Sequence, residues 1–78
     1  MITPAQCRAA RALIEWPREQ LAEVSRVALR TIVDFERGAR APREVTLIAI
    51  RSALESAGVI FIDDERGEGV VKLRDRQQ

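Results

Sequence analysis

REQLAEVSRVALRTIVDFERG, residues 18–38, decides how the rest of the chain must fold. Apolar residues recur at helical spacing on both sides of a break. Gln20, Leu21, Ala22 and Val24 fall on a short helix over 18–25, with Leu21 and Val24 predicted inward. Ala22 is small enough to let the next helix approach closely. Ser25, Arg26 and Val27 form the turn. A second short helix over 29–37 points Ile32 and Phe35 inward and leaves Leu29, Arg30, Val33 and Asp34 outward. Gly38 ends it, because glycine takes the left-handed conformation past a helix end without strain.

Upstream, Thr3 can cap a helix whose first residue is Pro4, where a missing N–H costs nothing. Cys7, Ala10, Leu13 and Ile14 form its predicted inward stripe, and Arg8, Arg11 and Glu15 fall on more polar positions. Pro17 is predicted to end this helix by disfavouring the α region for Trp16. Downstream, a loop over 39–42 leads to a helix over 43–57, with Leu47, Ile50 and Leu54 buried and Ile48 and Ala57 flanking. After Gly58 the period changes from 3.6 to 2. Val59, Ile60, Phe61 and Ile62 predict a strand, 63–69 an acidic turn, and 70–74 a returning strand. The predicted organisation is a helical domain over 1–58, a β-hairpin over 59–74 and a frayed tail over 75–78.

The chain has 78 residues and 46% hydrophobic content, which bounds it to one globular domain. A chain this short buries roughly 60% of its unfolded surface, so association with a second copy would add useful stability. Net charge is only +1, but its distribution is uneven. Residues 1–51 carry nine Arg and six acids, and residues 52–78 carry four bases and six acids. The basic excess therefore lies on the helical part, where a nucleic-acid face would need it. Histidine is absent and Cys7 is the single cysteine, which excludes an internal disulfide and the usual zinc spacings. No glycine-rich phosphate loop and no nucleophile with an evident base points to an enzyme. No cofactor or metal is expected. Neither a signal-peptide pattern nor an apolar run of about 20 residues is visible, so the expectation is a cytoplasmic protein with no membrane association.

Two short helices joined by a tight turn have the build of a helix-turn-helix, whose second helix can lie in the DNA major groove. Gln20-Leu21-Ala22, Val27, Thr31-Ile32, Phe35-Glu36-Arg37-Gly38 and Pro42 resemble the lambda-repressor-like, or Xre, family over about residues 3–57. The resemblance implies a mainly α fold: a compact four-helix DNA-binding domain, here followed by a C-terminal β-hairpin. It also implies operator binding as a dimer and transcriptional control. Carried over by position, base readout falls on Ala28, Leu29, Arg30 and Asp34, with Val33 on the same outward face. Phosphate contact falls on Arg18, Arg37, Arg40 and Arg43. A structural ion pair falls on Arg11 and Glu36. Three positions depart from the family pattern. Arg26 replaces the turn glycine and is expected to impose a non-glycine geometry. Ala28 replaces a Ser or Thr cap. Leu29 and Val33 stand where polar readers are common.

Arg30 is the sharpest candidate, since a guanidinium fits guanine O6 and N7 in a bidentate way. Leu29 and Val33 could meet thymine methyl groups, and Asp34 could accept from cytosine or pair with Arg30 at i+4. The hairpin is apolar on both faces, and the helices can cover only one. Val59, Ile60, Phe61, Ile62, Val71 and Leu73 are therefore expected to form a homodimer interface. The function these features point to is a sequence-specific DNA-binding transcriptional regulator, a repressor on a palindromic site. The alternatives are an antitoxin or phage-type regulator with a protein partner, and a protein-interaction module without specific DNA readout.

Overall fold

The computed structural model describes residues 1–74, so the predicted tail lies outside the described residues. Four helices are followed by one hairpin: α1 (Pro4–Ile14), α2 (Arg18–Ser25), α3 (Leu29–Glu36), α4 (Glu44–Ser56), β1 (Val59–Asp64) and β2 (Gly67–Lys72). The helices enclose a core centred on Cys7, Leu21, Ile32, Ile50 and Leu54, with Phe35 and Val59 closing its edges. The fold is thus mainly α with a two-stranded antiparallel sheet.

α1 begins with a reciprocal cap. Thr3 Oγ1 accepts from the Gln6 N–H, and Gln6 Oε1 accepts from the Thr3 N–H. The end of α1 differs from the sequence expectation. The helix stops at Ile14, before Pro17 can act, because Glu15 turns left-handed at φ 59°. The Trp16 N–H then reaches back to the Arg11 carbonyl at 2.9 Å, which satisfies a carbonyl of the last turn. Leu13 and Val24, expected inward, are exposed, because each lies at the edge of its helix's apolar stripe, beyond the reach of the neighbouring helix.

Arg26 also departs from expectation. It keeps the left-handed geometry of a turn glycine, at φ 61°. Ser25 Oγ closes the turn by accepting the Val27 N–H at 3.3 Å and donating to the Leu21 carbonyl at 2.6 Å. A left-handed arginine costs about 1–2 kcal/mol, which the packing of Val27 against the core offsets.

The first strand is longer and the turn tighter than predicted, and the returning strand starts at Gly67 and ends at Lys72, short of the predicted residue 74. β1 and β2 pair from Val59 with Lys72 to Asp64 with Gly67, leaving only Glu65 and Arg66 in the turn. Asp64 makes this possible by accepting the Arg66 N–H at 2.9 Å and its guanidinium at 3.0 Å. The strands alternate as a half-covered sheet must. Val59, Phe61 and Val70 pack toward the helices, while Ile60, Ile62, Val71 and Leu73 remain exposed. Val59 and Phe61 are thus occupied within the chain, which narrows the apolar surface open to a second copy to the other four residues.

Candidate nucleic-acid interface

α3 is held from behind by a buried carboxylate. Glu36, at its last turn, is 1% exposed. Arg11 clamps it in a fork, Nε on Oε2 and a terminal nitrogen on Oε1, both at 2.7 Å. Cys7 Sγ–H donates to Oε2 at 3.0 Å, and Arg18 Nε donates to Oε1 at 3.0 Å. Arg8 donates to the Glu36 backbone carbonyl, closing the negative end of the helix. Burial alone pushes the Glu36 carboxyl pKa up. The hydrogen bonds from Arg11, Cys7 and Arg18 outweigh it and hold the group below the usual carboxylate range. Burial, followed by the Glu36 hydrogen bond, pushes the Cys7 thiol far above its usual range.

The structure therefore brings Arg11 and Glu36 together, and it adds Arg18, which the sequence reading placed on the phosphate surface instead. Arg18 sits at the first turn of α2, and α2 packs against α3, so its side chain lies over the Glu36 carboxylate. It remains 41% exposed. Nothing in the spacing of Arg18 and Glu36 announces this contact, which depends on the angle between two helices.

With its inner side fixed, α3 turns its other face to solvent. Arg30 projects furthest, its side chain 83% exposed, with Nε 3.5 Å from Asp34. Arg37 approaches the same carboxylate at 4.0 Å. Leu29 is exposed, and Val33 and Asp34 are half-buried on the same face. Ala28 stands at the N-cap without a side-chain hydrogen bond, so the first N–H groups of α3 have no side-chain acceptor there. Arg37, Arg40 and Arg43 are all exposed beside this face.

Between α3 and the loop that follows lies a cleft of about 140 Å³ lined by Arg30, Thr31, Asp34, Arg40 and Pro42. It adjoins an open hollow of about 400 Å³ bordered by Thr31, Arg40, Arg43 and Thr46, among others. Thr31 and Thr46 were not among the sequence candidates. Thr46 is a hydroxyl donor three residues after Arg43, and that spacing could have pointed to it; Thr31 meets Arg40 and Arg43 only through the fold.

Two short helices joined by a left-handed turn, the second exposing an arginine-flanked face, are thus built onto one core. A family model described as helix-turn-helix matches residues 8–57. The chain belongs to the helix-turn-helix family. Within it, this helix-turn-helix protein is of the Xre, lambda-repressor-like kind, a DNA-binding regulator. The family is a DNA-binding regulatory one and not enzymatic. No curated protein matches the chain. Among the described residues, no helix of this helix-turn-helix protein is long and apolar enough to cross a membrane.

Proposed function

We propose that the protein is a sequence-specific transcriptional regulator, a repressor that occupies a palindromic operator as a homodimer with α3 in the major groove. The observation that carries this reading is the outward face of α3. Arg30 stands clear of the surface with Leu29, Val33 and Asp34 beside it, and Arg37, Arg40 and Arg43 flank it. Arg30 suits guanine O6 and N7, and Leu29 and Val33 suit thymine methyl groups. Arg37, Arg40 and Arg43, joined by the Thr31 and Thr46 hydroxyls, suit the phosphates on the groove's edge. Arg18 reaches a phosphate only with the part of its guanidinium not engaged by Glu36. Asp34 restrains Arg30 weakly, since an exposed i,i+4 pair is worth about 0.3–0.5 kcal/mol. Two such helices about one DNA turn apart require a two-fold partner, which makes the site palindromic.

The test is selection from a randomised duplex pool, followed by titration of the selected duplex and a scrambled one over a salt series. Arg30→Ala is expected to cost about 1–3 kcal/mol on the selected duplex while leaving the scrambled one nearly unchanged. Equal, salt-steep binding to every duplex would refute specific readout. Loss of repression of a reporter downstream of the selected site, on Arg30→Ala, checks the sign of regulation.

A further inference from the structure

The outer face of the hairpin carries a glycine that the chain's own structure does not require. Gly69 lies in the interior of β2, opposite Ile62. Its backbone is not left-handed, and a Cβ placed on it would meet nothing within 4 Å. Gly67 differs, since its φ of +148° at the turn disfavours any other residue. A mid-strand glycine weakens its strand and often marks a bulge, a bend or a close approach from outside; the pairing runs unbroken through Gly69, which leaves the close approach.

The shape around Gly69 indicates what approaches. Toward the tip of the hairpin, a shallow, wide-open depression of about 350 Å³ is lined by Ile62, Asp64, Arg66, Gly67, Glu68 and Gly69. Toward its base, on the same face, stands a ridge of Ile60, Val71 and Leu73, exposed by 46%, 43% and 51%. Charge follows the same axis. Asp64 and Glu65 stand at the tip beside Arg66, with Asp63 and Glu68 on the helix-facing side, while Arg74 follows the base, with Lys72 on the helix-facing side opposite Val59.

We propose that this face is a self-complementary interface with a second copy of the chain. The two hairpins lie antiparallel about a two-fold axis, and the ridge of each fills the hollow left by Gly69 on the other. That arrangement sets each acidic tip beside the other copy's basic base, whereas a parallel stack would oppose like charges. A surface holding both knob and hole suits an isologous contact. The proposal rests on the homodimer of the preceding section and fixes the surface that forms it.

The test uses the full chain without DNA, by sedimentation velocity at micromolar concentrations. Wild type is expected to be a dimer. Gly69→Val adds bulk to the hollow at a position where the folded monomer has room. It is expected to keep the far-UV circular dichroism and to raise the dimer dissociation constant about tenfold or more, as overpacking of a fitted contact does. Ile60→Asp should act likewise, and Ile48→Asp, on the exposed side of α4, should leave the dimer intact. For orientation, the double variant Glu65→Cys, Arg74→Cys should cross-link between copies through a short bis-maleimide, and Glu65→Cys alone should not. An unchanged dimer in Gly69→Val, or efficient cross-linking by Glu65→Cys alone, overturns the proposal. So does a wild type that stays monomeric, whatever its DNA binding. A dimer that binds no DNA would instead overturn the regulator reading and leave the interface standing.

Discussion

Replacing Glu36 by alanine is expected to destabilise the protein by about 3 kcal/mol or more. The carboxylate accepts two hydrogen bonds from Arg11 and one each from Arg18 and Cys7. Without it Arg11, only 16% exposed, keeps one acceptor, the Trp16 carbonyl. Removing one partner of a buried ion pair typically costs about 3–5 kcal/mol, because a charge is left stranded. Arg18 adds little to that figure, since its exposed end recovers water. The lower end of the range therefore applies. A chain of 78 residues has about 4–12 kcal/mol in total at 0.05–0.15 per residue, so the loss is a large share. At about 4–8 °C per kcal/mol, the thermal midpoint should fall by about 12–24 °C. Urea titration followed by circular dichroism gives the free energy directly. The double replacement Arg11→Met, Glu36→Leu should recover much of the loss, because it strands no charge. A cost under about 1 kcal/mol, the value of a surface pair, would refute the buried clamp. So would strict additivity of Arg11→Ala and Glu36→Ala, since residues in one network should couple. The same pair sets an acid limit. The pKa of Glu36 in the folded chain lies below its usual 4.5, so its contribution is complete above that value. It is lost as pH falls through the folded value, where wild type should converge on Glu36→Gln.

Other outcomes follow from single positions. Ala28→Ser supplies the missing acceptor at the start of α3 and should raise stability by about 1 kcal/mol, read as a higher urea midpoint at unchanged slope. Arg26→Gly removes about 1–2 kcal/mol of left-handed strain and adds about 0.5–1 kcal/mol of unfolded-chain entropy, so a gain of about 0.5 kcal/mol is expected; a loss would mean that the Arg26 side chain makes a stabilising contact. Cys7 is fully buried, with its thiol pKa driven up, so alkylation by iodoacetamide should proceed only through unfolding; rapid modification of the native protein would contradict its placement.

Much of this fold is legible because its punctuation is local. The break at Ser25 to Val27, Gly38, and the change of period at Val59 each mark an element by chemistry within a few residues, and α2 falls where the spacing places it. Less legible are features set by distant partners. Glu15 takes the helix end from Pro17 because the Trp16 N–H finds the Arg11 carbonyl first. The stretch 63–69 resembles a loop in composition, yet pairing with the opposite strand draws all but two central residues into the sheet. Gln6 offers only a polar side chain in sequence, and it is buried because its amide finds acceptors across the fold. For the interface, the outward face of α3 follows from helical periodicity alone. The engagement of Arg18 by Glu36, and the Thr31–Thr46 hollow, depend on how helices cross.

That Gln6 amide donates to the Ile62 carbonyl at 2.9 Å and to the Gly69 carbonyl at 3.0 Å, partners 56 and 63 residues away. Thr3 Oγ1 likewise donates to Glu68 Oε2 at 2.9 Å. The buried amide of α1 therefore finds its partners only when the hairpin, distant in sequence, has packed against it. Contacts of such long separation slow folding, because loop closure must come before they contribute. A chain cut before Gly69 keeps all four helices but loses one of the two acceptors of Gln6 and, with Val70, part of the strand face that packs against them. Such a fragment should be less stable than the whole chain and more readily cut by proteases.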